Sequence, residues 1–346
     1  MLRRAMAAPQ LGLLLVIVLL GGILTVLAGS HVDQRTGLEV NNFLNSYTLI
    51  QTATDASFFA VMAVGATVVI VSGGIDLSVG SIYALSGVAT AMLLRHVGPM
   101  DAGTTIGLGL LVSVGIGLVC GLVNGVLVVG LNVHPFIITL GTMWIVRGIA
   151  FVVSNAESIL LPPALTGMAK ASLGLAEALY PVPMLVMVGV ALVGTVYLTQ
   201  TVSGRHVFAV GGNAEASRFS GVPVGRVKIA VFVISGLTAG IAAFMGASFY
   251  GSASCGDATG YELYVIASAV VGGASLAGGK GSAASALLGA VLIVLIRQSI
   301  RTLHFDQNYE WIIIGCAIII AVVLDQASAR LTARRLTAAA RPGPVQ

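Results

Sequence analysis

SGRHVFAVGGNAEASRFSGVPVGRVK, residues 203–228, separates two long apolar regions and decides how the chain is laid out. It carries Arg205, Arg218, Arg226 and Lys228 against a single acid, Glu215. Asn213 belongs to the residue types that cap helices. Glu215 then falls in the first turn, where the helix dipole favours an anion, and Arg218 falls near the C-terminal end. Gly221 and Pro223 stop the helix. The pattern predicts about two turns, roughly 10 Å long, within a polar loop on the inner face of the protein.

The flanking regions set the class. With 57% hydrophobic residues, 9% charged residues and a mean hydropathy of +1.01, the chain is too apolar for a soluble globule and reads as all-α and polytopic in a membrane. The net charge of +4 and the pI near 9.1 do not indicate a nucleic-acid partner, because the basic residues are dispersed at the ends of apolar runs. Cys120, Cys255 and Cys316 are far apart, so neither a disulfide framework nor a metal site follows, and no cofactor is expected. MLRR followed by the apolar run 11–28 has the charge order of a signal peptide, but the run is longer than a usual h-region and reads as a first span.

Runs broken by charges, prolines or polar clusters give ten spans: 11–29, 48–72, 77–94, 104–131, 134–154, 182–201, 228–250, 262–275, 283–303 and 310–327. An even number puts both termini on one side. Placing them inside collects Arg3, Arg4, Arg205, Arg218, Arg226, Lys228, Lys280, Arg330, Arg334, Arg335 and Arg341 on the cytoplasmic face. Asp33, Glu39, Asp101, Glu157, Glu177, Asp257 and Asp306 fall in or beside outer segments. The chain reads as a single transmembrane domain over 1–346, with 203–228 as its cytoplasmic loop. No GxxxxGK[ST] phosphate loop occurs, so ATP hydrolysis by that route needs a separate protein. GGKGS at 278–282 lacks the first glycine at the required spacing and reads as a tight turn between helices.

A glycine break occurs twice. Residues 73–80, GGIDLSVG, and 272–279, GGASLAGG, both fit GGx[DS]L[SA]xG after a Val-rich run, which suggests two related halves with broken helices. Asp76 precedes the helix beginning near Leu77 and is expected to cap it, with Ser78 assisting. Asn124, between Gly121 and Gly125, is placed to hydrogen-bond across a close helix crossing. Arg147 is expected to snorkel towards the outer end of its span, and Glu262 to open the eighth span at the outer surface. The candidates for a helix break or translocation pathway are Gly73, Gly74, Asp76, Ser78, Asn124, Thr139, Gly272 and Gly273.

Four blocks together carry a resemblance: GGIDLSVGSIYALSG at 73–87, NVHPFIITLGTMWIVRGIA at 132–150, GRHVFAVGGNAEASRFSGVPVGRVK at 204–228 and GYELYVIASAVVGGASLAGGKGS at 260–282. In order and spacing they resemble the membrane permeases of bacterial monosaccharide ABC importers of the ribose, xylose, arabinose and galactose type, with the autoinducer-2 permeases as relatives. The resemblance spans about residues 45–327. It implies an inner-membrane, non-catalytic translocation subunit that pairs with a second permease copy or a homologous permease. It also implies two cytoplasmic ATPase modules and a periplasmic or lipid-anchored binding protein that delivers a small polar solute. Gly211, Gly212, Asn213, Glu215, Ala216 and Arg218 match the family's coupling segment. Phe219 is then expected to insert into an ATPase groove, with Gly221 closing the helix. The competing reading is a secondary transporter driven by an ion gradient, with the glycine breaks as unwound binding helices. It would need midplane carboxylates, whereas Asp76 and Asp325 fall towards inner ends and Asp55 towards an outer end. A membrane-embedded enzyme would need a cluster of His, Glu, Ser or Cys, which His134 lacks.

Overall fold

The structure, a computed structural model, describes residues 8–32, 37–174, 180–316, 319, 320 and 323. In chain order it comprises α1 (Ala8–Leu27), β1 (Ser30–Val32), β2 (Glu39–Asn41), α2 (Ser46–Val71), α3 (Val79–Val97), α4 (Ala102–Gly130), α5 (Pro135–Ser154), β3 (Ile159–Leu160), α6 (Pro163–Ala169), α7 (Val182–Gln200), α8 (Val202–Gly212), α9 (Ala214–Phe219), α10 (Val224–Tyr250), β4 (Ser252–Ala253), α11 (Tyr261–Val271) and α12 (Ala283–Thr302). The chain is helical again over 309–316. Arg3, Arg4, Asp33, Glu177, Arg330, Arg334, Arg335 and Arg341, used above for orientation, and Asp325, weighed for the ion-gradient reading, lie outside the described residues.

Among the described residues, seven helices are long and apolar enough to cross a membrane: α1, α2, α4, α5, α7, α10 and α12. The expected count of ten differs for three physical reasons. α3 carries Arg95 and His96 in its last turn. α11 has only 11 residues, about 16 Å of helix. The expected last span, 310–327, extends outside the described residues.

The core is built around α2. Asn45 starts it by accepting the Thr48 amide at 2.8 Å. Because residues 58–71 are apolar on every side apart from Thr67, the helix is wrapped by protein, 94% buried over its most apolar window. α10, α12, α7 and α11 pack around it. By contrast α1 is almost wholly exposed and joins the rest through Leu24 and Ala28 against Phe43 and Leu295.

Small residues set the closest helix pair. On α4, Gly117, Gly121 and Gly125 recur at four-residue spacing and lie directly on the α10 backbone at Gly236, Phe232 and Ile229. Ser113 Oγ donates to Gly240 O at 2.8 Å in the same seam. A stripe without side chains lets the backbones meet, which is how helices associate where lipid offers no hydrophobic drive.

Two departures from expectation shape the site. Residues 203–228 are not a loop with one helix. Thr201 caps α8 by accepting the Gly204 amide, α8 runs to Gly212, α9 follows after Asn213, and α10 starts at Val224. Gly204, Gly211 and Gly212 lower helix propensity and so suggest a loop, but two of them sit where neighbouring backbone leaves no room for a side chain. The second departure concerns the segment between α10 and α11. Its β4 pairs antiparallel with β3, Ile159 opposite Ala253, and a Cβ on Gly87, midway along α3, would touch Ala253 Cβ at 3.3 Å. The chain then descends along α3, so that α11 begins deep within the protein. The Tyr261 ring lies 4.5 Å from that of Phe59, which is twelve residues, or about 18 Å, from the C-terminal end of α2 at Val71. Glu262 therefore does not open a span at the surface. It faces the start of α3, where a Cβ on Gly80 would lie 2.6 Å from its Oε2.

Candidate functional site

The α8–α9 corner is the first part of the site. Asn213 Oδ1 accepts the Ala216 amide at 2.9 Å, and Glu215 and Arg218 occupy the first and last turns of α9. Gly221, at φ +82°, ends it in a left-handed turn, with its amide bonded to Arg218 O and the Val222 amide to Ser217 O. Ser217 is the buried face. Glu215, Ala216 and Arg218 are exposed, and Phe219 is 84% exposed, unusual for a phenylalanine on a six-residue helix with protein beside it.

Behind α9, the end of α8 is pressed against the end of α2 and the turn before α12. A Cβ on Gly211 would lie 1.7 Å from Val71 O and 2.7 Å from Gly279 N. Those two atoms are themselves joined, the Gly279 amide donating to Val71 O at 2.8 Å. Gly278 and Gly279 in turn crowd Gly211 and Gly212, and Gly73 approaches Gly211. Three glycine segments thus meet at one point: the end of α2, the turn before α12 and the end of α8.

The glycine breaks form the second part, and they are alike in backbone. In the first, the Ser72, Gly73 and Gly74 amides donate to Val68, Ile70 and Val69; in the second, the Gly272, Gly273 and Ala274 amides donate to Ser268, Val270 and Ala269. Gly73 and Gly273 hold φ of +82° and +91°. These are two copies of one helix-ending turn. They align with a one-residue shift from the sequence pattern, which paired Gly73 with Gly272. The turn needs only one positive-φ residue, and that residue is the first glycine of one pair and the second of the other.

Beyond the first break, Asp76 is buried and fully engaged. Its Oδ1 accepts from the Ser78 amide at 2.9 Å and Ser78 Oγ at 2.6 Å, and its Oδ2 accepts from Ser235 Oγ of α10 at 2.8 Å. Asn124 of α4 donates to Ser78 Oγ at 2.8 Å, and Thr139 of α5 reaches Ile75 O at 3.1 Å. α3 starts at Val79, two residues later than expected, with Ser78 in the cap position, so Asp76 braces the extended segment ahead of the helix and does not cap it directly. Asp76, Ser78, Asn124 and Thr139 are at most 2% exposed. Together they tie the break to three helices.

A family model described as "Branched-chain amino acid transport system / permease component" matches residues 48–322, which contain the α8–α9 corner, both breaks and the buried network. The chain belongs to this permease family. The permease is 36% identical to the D-allose transport system permease protein of Escherichia coli K12 over 287 residues, covering 82% of this chain and 85% of that one. It is 37% identical to the ribose import permease protein of Haemophilus influenzae over 292 residues, covering 83% and 85%. It is 34% identical to the L-arabinose ABC transporter permease protein of Azospirillum brasilense over 293 residues, covering 84% and 83%. No solved structure matches it.

The permease also holds a deep polar region that sequence reasoning did not assemble. Arg147 does not snorkel: its Nη1 donates to the carbonyls of Cys255 and Asp257 at 2.7 and 2.6 Å, stapling the descending segment to α5. Nearby, Phe59, Tyr83, Tyr261, Tyr264 and Trp311 form a contiguous set of rings. Arg297 of α12 lies over Phe59 and Tyr264, 5.4 and 5.1 Å from their centroids, with Nε 2.7 Å from Glu310 Oε1. Tyr264 donates to the same carboxylate oxygen at 2.6 Å. The signal available in the sequence was Tyr at 261 and 264, one helical turn apart, with Arg297 inside an apolar span.

Proposed function

We propose that this multi-pass membrane protein is the translocation subunit of an ABC importer in a bacterial inner membrane, carrying a small polar solute of the monosaccharide class. Ten spans with both termini cytoplasmic, a second permease copy or a homologous permease, paired ATPase modules and a periplasmic or lipid-anchored binding protein complete the assembly. The sugar relatives support the solute class. The observation that carries the coupling role is the junction at Gly211, which joins an exposed, capped helix to the first glycine break and to the turn before α12.

In this reading the ATPases grip α9 through Glu215, Arg218 and Phe219, with Asn213 and Gly221 fixing its ends. Closure of the motor pair displaces α9, and the displacement passes through Gly211 and Gly212 to Val71 and Gly279. The two breaks are the compliant points, since each helix stops there on a single left-handed glycine. The buried Asp76 network holds one side of the first break so that motion goes to the other. The chain supplies the path and the lever, and its partner supplies hydrolysis.

The test is uptake into proteoliposomes. Transport should require added ATPase subunits and ATP, and be unaffected by collapsing proton and sodium gradients. A Glu215→Ala, Arg218→Ala, Phe219→Ala triple variant should insert normally and transport nothing. Gradient-dependent uptake without ATP, or normal transport by the triple variant, would overturn the assignment.

A further inference from the structure

We infer that the cavity between α11, α12 and the helical segment from 309 is a low-affinity stopping point for one neutral monosaccharide ring. This rests on the solute class proposed above and assigns it a place. The cavity measures about 280 Å³, slightly below the ~300–1,000 Å³ of pockets that take drug-sized ligands, and so suits a single ring.

Its walls have the two chemistries such a ring needs. Tyr261, Tyr264 and Trp311 present aromatic surface to carbon-bound hydrogens, and the Trp311 side chain is free to do so, being 58% exposed. Arg297, Glu310, Gln307 and Asn308 supply donors and acceptors for hydroxyls. Charge decides the class of solute. Arg297 and Glu310 already neutralise each other at 2.7 Å, so the cavity offers no free charge to a carboxylate, phosphate or zwitterion. A hydroxyl can instead bridge the pair.

Position supports a solute path. Tyr261 sits level with the middle of α2, while Gln307 and Asn308 form a rim just past the end of α12 at Thr302. The ion pair is partly exposed, 27% and 16%, so a solute in the cavity can reach it. A cavity of about 440 Å³ lined by Val64, Val68, Val190 and Tyr197 exposes no polar surface and offers hydroxyls nothing.

The chain has two tryptophans, so Trp144→Phe leaves Trp311 as the sole reporter. The full-length variant in lipid nanodiscs is titrated with D-ribose, D-allose, L-arabinose and L-leucine while tryptophan emission is followed. At least one sugar should give a saturable change, and L-leucine none. In the reconstituted importer, Trp311→Ala and Asn308→Ala should raise the KM for that sugar about three- to tenfold, the size of one aromatic or polar contact. ATP hydrolysis stimulated by the binding protein should be unchanged, and Trp311→Phe should largely restore the KM. If the importer takes up the sugar but Trp311 is silent and both KM values are normal, the cavity is off the path while the sugar reading stands. If the importer moves L-leucine and no sugar, both fall together.

Discussion

Gly211→Ala tests the mechanical junction most directly, because the structure specifies both the clash and its control. The new methyl would lie 1.7 Å from Val71 O and 2.7 Å from Gly279 N, both backbone atoms that cannot rotate away. Overpacking of this kind costs about 1–3 kcal/mol. Separating Val71 from Gly279 also removes a hydrogen bond between them, about 1–3 kcal/mol if the groups stay buried and unpaired. The sum, roughly 2–6 kcal/mol, corresponds to a fall in Tm of about 3–8 °C for a chain of this size. Gly212→Ala is the control, since nothing lies within 4 Å of its added Cβ and helix propensity favours alanine by about 1 kcal/mol. Thermal unfolding of the detergent-purified permease, read by the fraction remaining monodisperse, should separate the two neighbours in opposite directions. In proteoliposomes Gly211→Ala should also transport less sugar per ATP hydrolysed, and Gly212→Ala should not. Equal behaviour of the two variants in both assays would refute the junction.

Asp76→Ala removes the acceptor of the Ser78 amide and of two serine hydroxyls and should lower stability by roughly 3–6 kcal/mol, whereas Asp76→Asn keeps an acceptor for Ser78 and should lose less than half of that; normal Tm with abolished uptake in both would instead make Asp76 a solute contact. Gly121→Ala places a methyl 2.3 Å from Phe232 O in the α4–α10 seam and should cost about 1–3 kcal/mol, while Gly115→Ala on the same helix, with open space around it, should be neutral or slightly stabilising in the same unfolding assay.

The short helix α9 was legible in the sequence, for local reasons. Asn213, Glu215, Arg218 and Gly221 are signals that act within one short helix, and α9 uses each in the predicted place. The long apolar runs gave most spans because hydropathy is additive along the chain. α8 was missed because its glycines serve long-range packing, and propensity cannot distinguish a glycine that loosens a helix from one that lets two backbones touch. The repeat was seen one residue out of register because paired glycines dominate a text match, whereas the turn depends on one dihedral angle. Glu262 was placed at the surface on the assumption that a span begins where the membrane does. Residues 251–260 break that assumption, and only β3 pairing with β4, ninety residues apart in sequence, reveals the descent. The ring cluster around Arg297 draws on α2, α3, α11, α12 and the segment beyond, so no window of sequence contains it.

The burial of α2 has a consequence for how the protein is made. Its principal neighbours, α7, α10, α11 and α12, are all synthesised after it. As it leaves the ribosome α2 has none of these neighbours, which its apolar second half tolerates in lipid, although Asp55 must wait for Arg301, 246 residues downstream, before it has an ionic partner. The first half of the chain therefore enters the bilayer early and matures late. A nascent chain stalled before α12 would already hold α7, α10 and α11 around α2 but would leave Asp55 without its ionic partner.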